Sequence, residues 1–182
     1  TGLTSITIPS SVTSIGDHAF DSCRGLISIA VAKGNTKYNS GNGANCIIET
    51  ATNTLIVGCK NTVIPEGVTR IDSQAFYNCT SLTSITIPSS VTSIGADAFN
   101  GCTSLTSITI PSSVTSIGES AFSRCSKLTS ITFTGTTPPI IGNYSLYDCT
   151  KLTTIYVPAG TKDAYITALG SSYASKIVEM EA

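Results

Sequence analysis

The stretch Leu82 to Ser104 reads LTSITIPSSVTSIGADAFNGCTS, and the next stretch, Leu105 to Lys127, repeats it as LTSITIPSSVTSIGESAFSRCSK. A third copy, LTSITIPSSVTSIGDHAFDSCRG, spans Leu3 to Gly25. Adjacent copies start 23 residues apart. A fixed period of about 20–30 residues is typical of a solenoid, in which each unit stacks on the next. The repeat therefore decides the fold of this chain.

The first part of each repeat predicts a short strand. In the first copy, Ile6 and Ile8 are two positions apart, so they point to one side of the strand while Thr7 points to the other. Pro9 ends this strand, because proline lacks an N–H and fixes φ.

The second part of the repeat predicts a further short strand and a turn. Val12 and Ile15 face inward, Gly16 permits the turn that follows, and Ala19 and Phe20 occupy a single helical turn with the ring in the core. We expect a β-rich repeat solenoid of about seven 23-residue units, with short strands, single helical turns and a C-terminal cap.

The chain is predicted to be one structural domain with an irregular second unit. Residues 1–161 form the solenoid, and residues 162–182 form a capping helix and strand. The unit at about 26–58 is longer by ten residues and contains the polar loop 33–43, KGNTKYNSGNG, followed by a possible hairpin. This insertion is either a tolerated surface loop or a binding loop, in which Lys37, Tyr38 and Asn39 would contact a ligand.

Composition excludes several classes of function. The net charge is −1 and charged residues make up 12% of the chain, so no basic stripe is present to bind nucleic acid. The sequence has no apolar run of about 18 residues, so no transmembrane segment is expected in this fragment. The first residues fall inside a repeat, and we expect any signal peptide or earlier repeats to lie upstream.

The cysteines follow the repeat. Five of the seven lie three residues before the first leucine of a unit: Cys23, Cys79, Cys102, Cys125 and Cys149. This shared position in the repeat predicts a column of free, buried thiols rather than a disulfide scaffold. The sequence has no CxxC motif and a single histidine, His18, so neither a metal site nor a cofactor is expected.

The outward positions of the first strand are the candidate ligand-binding surface. Hydroxyl residues dominate them, and adjacent strands lie about 4.8 Å apart, so seven strands would span about 30 Å. The candidate binding residues are Ser84, Thr86, Ser107, Thr109, Ser130, Thr132 and Tyr156. The alternative is that threonine and serine are there only because they suit an exposed strand.

Acidic residues recur at the turn before Ala-Phe. Asp17, Asp72, Asp97 and Glu119 fall near one another in the repeat register. A carboxylate there could cap the expected helical turn. A row of calcium sites is the alternative, but the acids lack the spaced cluster that such a site needs. No convergent set of titratable groups is evident, so we expect no catalysis.

The repeat LTSITIPSSVTSIGADAFNGC resembles the BspA-like leucine-rich repeats, also called the Treponema pallidum type. The shared marks are the cysteine before leucine, the Ile-Pro after the strand and the Ile-Gly-x-x-Ala-Phe segment. The long unit and the ending IYVPAGTKDAYI also look like variants of that family. The resemblance implies a right-handed leucine-rich-repeat coil whose strand face is usually concave and usually binds the ligand. It implies a cell-surface or secreted protein of a host-associated bacterium, linked to adhesion and to matrix-protein binding.

Two functions follow for this chain. The first is a non-enzymatic binding or adhesion module, which would recognise a host or partner protein or a glycan through the exposed sheet face or the 33–43 loop. The second is a structural spacer that presents another domain from the cell envelope. A third hypothesis is an ice-binding surface, because the Ser-x-Thr pattern recurs in successive units.

Overall fold

The computed structural model describes residues 2–16, 18–20 and 23–181. The chain winds into a β-solenoid of about seven turns, in which successive coils pair through short strands. The strands are β1 (Ser5–Ile8), β2 (Ser28–Val31), β3 (Tyr38–Asn39), β4 (Cys46–Glu49), β5 (Thr54–Gly58), β6 (Arg70–Ile71), β7 (Ser93–Ile94), β8 (Ser107–Ile110), β9 (Ser116–Ile117), β10 (Ser130–Phe133), β11 (Ile140–Ile141), β12 (Thr154–Val157) and β13 (Ile177–Glu179). One α-helix, α1 (Lys162–Leu169), and a 3-10 helix (Ser171–Lys176) precede β13.

The coils that start at Leu105 and Leu128 each contribute one strand to each of two walls. The first wall contains the two-stranded sheet β1-β2 and the four-stranded sheet β13-β12-β10-β8, all parallel. The second wall is a seven-stranded sheet in the order β11-β9-β7-β6-β5-β4-β3. Between regular coils, the strand partners are equivalent repeat positions, as in the pairing of Ile108 with Ile131 and of Ile71 with Ile94. The 23-residue period therefore sets the register directly.

The Ala-Phe segment is a run of tight turns and not the expected helical turn. Alternate N–H groups of this segment donate to the next coil, as Gln74 N does to Ala96 O (2.9 Å) and Phe76 N does to Ala98 O (2.8 Å). The N–H groups between them donate within their own coil, as Tyr77 N does to Gln74 O (2.9 Å). A helix needs consecutive N–H groups for its own bonds, so cross-coil pairing excludes it here. Gln74 and its equivalents adopt positive φ to make this turn.

The hairpin of the insertion lies in the core, whereas the 33–43 loop remains at the surface. β4 and β5 form the antiparallel hairpin that the sequence indicates. Ile47 packs in an N-terminal apolar cluster with Leu26 and Ile29, whereas its neighbours Cys46 and Ile48 pack in the main core. The strand β4 therefore separates the two clusters, with apolar side chains on both faces.

The first wall is interrupted beside this insertion, which corrects the expected row of seven strands. Residues 60–64 and 83–87 have no strand assignment. The reason lies in the insertion, because Val63 N donates to Ala44 O (3.0 Å) rather than to β2. The expected face is therefore divided into the β1-β2 pair and the four-stranded sheet.

The C-terminal segment packs on the last coils. Tyr165 of α1 is buried, its hydroxyl donates to Gly135 O (2.7 Å), and its ring lies 5.0 Å from that of Phe133. The strand β13 pairs with β12 and is the edge strand of the four-stranded sheet. These contacts cover apolar core that the last repeat would otherwise expose to water.

Candidate functional site

The four-stranded sheet carries a continuous row of outward side chains. On β8, Ile108 and Ile110 are buried while Ser107 and Thr109 are exposed. This alternation follows from the two-residue period of a strand, which turns successive side chains to opposite faces. The residues that share the outer side are Ser107, Thr109, Ser130, Thr132, Thr154, Tyr156 and Val178, which we call the hydroxyl face.

The strand register aligns these side chains across the sheet. Thr109 pairs with Thr132, Thr132 with Tyr156, and Tyr156 with Val178. Ser130 and Thr132 are half-buried, whereas Tyr156 is 38% exposed and Val178 is 46% exposed. The row thus runs from hydroxyls on β8 to an aromatic ring and an apolar side chain at its C-terminal edge.

Two of the predicted residues lie apart from this face. Ser84 and Thr86 are exposed, but they belong to segment 83–87, outside the sheet. This segment joins the next coil by the hydrogen bond from Thr106 N to Thr83 O (3.3 Å). The structure therefore brings together Ser107, Thr109, Ser130, Thr132 and Tyr156, and it adds Val178. The sequence indicated a final strand at Val178 but not its pairing with β12.

The 33–43 loop presents fewer side chains than the sequence suggested. Lys37 is exposed and Asn39 is half-buried, but Tyr38 is only 8% exposed. The Tyr38 ring packs in the N-terminal apolar cluster, and its hydroxyl accepts a hydrogen bond from Ile15 N (3.2 Å). The expectation that Tyr38 is a surface residue of the loop is therefore wrong.

The loop backbone is held by an asparagine. The side-chain oxygen of Asn35 accepts from the N–H groups of Lys37 (2.9 Å) and Tyr38 (2.8 Å). Its side-chain nitrogen donates to Pro9 O and Val12 O of the first coil. Side chain to backbone bonds of this kind fix local turns, so Asn35 ties the loop to the preceding coil.

The cysteines form the predicted column, and all seven are free thiols. Each inner thiol donates to the phenylalanine carbonyl of the preceding coil, as Cys102 does to Phe76 O (3.3 Å) and Cys125 does to Phe99 O (3.2 Å). Burial raises the pKa of Cys125 from 9.0 to about 12. The inner thiols of Cys102, Cys125 and Cys149 therefore close each coil against the one before it, and burial keeps these three sulfurs protonated.

Alkylation should show this protection. At pH 8 a rise in pKa from 9.0 to about 12 lowers the thiolate fraction of Cys125 about 1000-fold. Iodoacetamide followed by peptide mass spectrometry is expected to modify Cys125 at least about 100-fold more slowly in the folded chain than in urea. The stabilisation by protonated thiols is complete below the unfolded pKa of 9.0 and is lost as the pH rises through about 12. The half-buried Cys23 is the internal reference, and equal rates for Cys23 and Cys125 in the folded chain would contradict the column's protection.

The acidic residues do not form a shared site. Asp72 pairs with Arg70 (3.1 Å), and Asp97 accepts from the Asn100 side-chain amide (2.7 Å). The expected capping of a helical turn does not occur at these positions, because that turn is absent, and Asp17 lies outside the described residues. Within residues 2–16, 18–20 and 23–181, no group of three or more His, Cys, Asp or Glu side chains is placed to hold a metal ion.

The stacked coils, the paired walls and the uniform outer row define a leucine-rich repeat solenoid. A model of the BspA type leucine rich repeat region matches residues 1–54 and 55–174 in six copies, and the chain belongs to this family. A search of curated proteins finds no match.

Bacterial proteins are among the solved structures that this chain resembles. A leucine-rich repeat protein from Eubacterium ventriosum is 28% identical, with a TM-score of 0.73, over 87% of this chain and 43% of its own. A leucine rich cell surface protein from Faecalibacterium prausnitzii is 30% identical, with a TM-score of 0.61, over 93% of this chain and 51% of its own. The chain thus spans about half the length of these relatives or less. Among the helices of the described residues, none has the length and apolar character needed to cross a membrane.

Proposed function

We propose that this chain is a non-enzymatic, cell-surface or secreted binding module, which recognises a protein or a glycan through the hydroxyl face. The observation that carries the proposal is the aligned, outward-facing row that runs from Thr109 through Thr132 to Tyr156 and Val178. The apolar residues that fill the core, such as Ile108 and Ile131, face away from the outer row, so the outer row is free to take part in recognition.

The chemistry of the hydroxyl face suits a neutral ligand. Its serine and threonine hydroxyls each donate one hydrogen bond and accept others, while none of its seven side chains is charged. Tyr156 and Val178 add apolar surface at one edge, and an aromatic ring beside hydroxyl groups can contact either a sugar or a peptide. Host matrix proteins and glycans are therefore the first ligands to test.

The cell-surface location is part of the proposal. The relative from Faecalibacterium prausnitzii is a leucine rich cell surface protein, and it shares 30% of its aligned residues with this chain. The 33–43 loop is a second candidate contact, through Lys37 and Asn39, because Asn35 holds its backbone in one conformation.

Charges placed on the hydroxyl face should abolish binding there. The variant Ser107→Arg/Thr109→Lys puts two cations on exposed positions of β8, where they would be desolvated by a ligand. We expect at least about tenfold weaker binding to whichever matrix protein or glycan binds the unmodified chain, because an unpaired buried charge costs more than about 1.4 kcal/mol. Surface plasmon resonance on an immobilised panel measures this.

The matched control is Thr115→Lys, an exposed threonine beside β9 on the other wall. It adds a charge without touching the hydroxyl face, and its affinity should equal that of the unmodified chain. If Ser107→Arg/Thr109→Lys binds as tightly as Thr115→Lys, the hydroxyl face is not the binding surface.

The spacer function is the alternative, and the regular core favours it. The rings of Phe76, Phe99 and Phe122 stack at 4.9 Å and 5.3 Å with interplanar angles of 8° and 5°. Such regular stacking gives coils that contact only their neighbours and add length without new chemistry. A folded chain that binds nothing on the panel would favour the spacer over the binding module.

A further inference from the structure

The turn at 142–149 is the last in the stack of turns, because the chain continues from it into β12 and then into α1. Its carbonyl groups are all in use. Those of Asn143, Ser145 and Tyr147 accept hydrogen bonds from N–H groups of the preceding coil at 2.8–2.9 Å. Those of Tyr144 and Leu146 accept from N–H groups within the turn itself. The backbone of this turn therefore has no unused acceptor between positions 143 and 147.

The N–H groups on the other side of the same turn are unused. In each regular turn, N–H groups at three alternate positions donate to the next coil, as Ser120 N does to Asn143 O (2.9 Å). Tyr144, Leu146 and Asp148 hold these three positions in the last turn, and Tyr144 keeps the positive φ of Ser120 (58° against 54°). Among residues 2–16, 18–20 and 23–181, no group accepts a hydrogen bond from these three N–H groups. The last turn thus presents donors without acceptors.

A cavity of about 260 Å³ lies between this turn and the C-terminal helices. Residues 141–147 line one side of it, and Ala168, Leu169 and Tyr173 line the other. Two of the three unused N–H groups, those of Tyr144 and Leu146, belong to lining residues. We call this cavity the end groove. It is bounded entirely by residues whose hydrogen bonds are known.

Two exposed aromatic rings flank the end groove. Tyr144 is 66% exposed and Tyr147 is 57% exposed, and their rings lie 6.0 Å apart in an edge-to-face arrangement. On the opposite side, Tyr173 is half-buried and its hydroxyl donates to Leu146 O (3.4 Å). Most of the surface of Tyr144 and Tyr147 is in water in the free chain, so a ligand that covers these rings gains apolar burial.

The chemistry of the end groove selects a ligand that brings acceptors and apolar surface but no donors. A sugar hydroxyl or an ordinary peptide N–H that enters the groove needs an acceptor, and the turn has no unused carbonyl to offer. Proline has no backbone N–H, and a proline-rich segment in the polyproline II conformation leaves its carbonyls free. Its rings also suit an aromatic-lined groove, which is how such segments are recognised elsewhere.

We propose that the end groove binds a proline-rich segment of another protein in the polyproline II conformation. Carbonyl groups of the segment accept hydrogen bonds from Tyr144 N and Leu146 N, and its pyrrolidine rings pack on Tyr144 and Tyr147. Because this conformation is already formed in the free segment, little conformational entropy is lost on binding. The end groove shares no residue with the hydroxyl face, so the two sites are tested separately.

The test uses the whole chain and a defined probe. The probe is a fluorescein-labelled, end-capped peptide of ten prolines, and fluorescence anisotropy measures its dissociation constant. We expect saturable binding that is at least tenfold tighter than that of a ten-residue glycine-serine peptide, which is flexible and has no rings. No saturable binding of the proline probe, equal affinity of the glycine-serine peptide, or tighter binding of labelled maltotriose would each overturn the proposal.

Variants of the chain place the probe in the end groove. Tyr144→Asn/Tyr147→Ala removes both exposed rings, and asparagine tolerates the positive φ at position 144. This variant should bind the proline probe at least tenfold more weakly. Tyr77→Ala is the matched control, because Tyr77 holds the repeat position of Tyr147 in a turn that another coil follows, and its affinity should be unchanged. Circular dichroism checks that both variants fold, and equal affinities would contradict the proposal.

Hydrogen exchange tests the backbone contacts without any substitution. In the free chain, the amides of Tyr144 and Leu146 should exchange faster than those of Ser120 and Phe122, which hold the same positions one coil earlier and are hydrogen-bonded. Saturation with the proline probe should slow the exchange of Tyr144 and Leu146 at least tenfold, as measured by NMR on the ¹⁵N-labelled chain. Unchanged exchange of these two amides at saturation would rule out the proposed contacts.

Discussion

Replacing Phe99 by alanine is expected to lower the free energy of unfolding by about 3–5 kcal/mol, among the largest effects of any single substitution in this chain. The Phe99 side chain is fully buried, and its ring stacks on Phe76 at 4.9 Å and on Phe122 at 5.3 Å. Truncation removes both ring contacts and leaves a cavity that the rigid cross-coil hydrogen bonds prevent from collapsing. Urea denaturation followed by circular dichroism measures the change.

Phe20→Ala is the matched control, because Phe20 occupies the same repeat position. Its side chain is half-buried, whereas that of Phe99 is fully buried. Since less apolar area is buried there, we expect a loss of about 1–2 kcal/mol. Equal losses for Phe20→Ala and Phe99→Ala would show that ring stacking does not distinguish the two sites.

The stacked rings of Phe76, Phe99 and Phe122 also predict energetic coupling between neighbouring coils. Phe76 and Phe122 both contact Phe99, and each is one coil away from it on opposite sides. Substitutions of Phe76 and Phe99 together should cost less than the sum of the two single changes, because the stack between them is lost only once. Phe76 and Phe122 together should be close to additive, as nearest-neighbour coupling in a solenoid requires.

The core could be predicted from the sequence because it repeats. Leu105, Ile108, Val114, Phe122 and Cys125 are all buried at the positions that the 23-residue period assigns to the interior. The outward row could be predicted equally well, since a two-residue period places Ser107 and Thr109 on the face opposite to Ile108 and Ile110. Both inferences use only the local geometry of a strand.

What the sequence missed depends on neighbouring coils. The apolar pair Ala-Phe suggests a helical turn when one repeat is considered alone, but cross-coil bonds such as Phe76 N to Ala98 O use the N–H groups that a helix needs. The position of Tyr38 was missed for a related reason, because the core it enters is formed by a different coil. Three consecutive apolar residues, Cys46 to Ile48, were the available sequence signal that β4 is covered on both faces, and the structure shows all three buried.

Only part of the candidate site could be predicted from the sequence, for the same reason. Period two identifies Ser84 and Thr86 as outward residues as readily as Ser107 and Thr109. Whether a row joins the sheet depends on its neighbours, and the segments 60–64 and 83–87, which lie between the insertion and Ser107, form no strand. Long-range pairing of this kind has no local sequence signal.

The substitution Gly118→Ala is expected to destabilise the chain by about 3 kcal/mol, although it adds a single methyl group. The sequence suggested that the glycine at this repeat position permits a turn. Its function in the structure is close approach, because a Cβ at Gly118 would lie 2.4 Å from Ala96 N and 2.5 Å from the Gly95 carbonyl carbon. Both contacts are with backbone, so the two coils themselves would have to separate.

That separation also strains the hydrogen bonds on either side of the contact. Gly118 N donates to Ile94 O and Asp97 N donates to Glu119 O, each at 2.8 Å. A shift of several tenths of an ångström lengthens both bonds while their groups remain shielded from water. The cost therefore exceeds that of adding a methyl group beside a flexible side chain.

Gly16→Ala isolates this cause, because Gly16 holds the same repeat position and a Cβ there meets nothing within 4 Å. Without a backbone neighbour, the main effect of the new methyl group is to restrict the unfolded chain, so we expect stability to be unchanged or raised by up to about 1 kcal/mol. Urea denaturation of both variants measures the difference. A similar loss for Gly16→Ala and Gly118→Ala would assign the cost to backbone conformation within the coil, and a loss confined to Gly118→Ala assigns it to the spacing between coils.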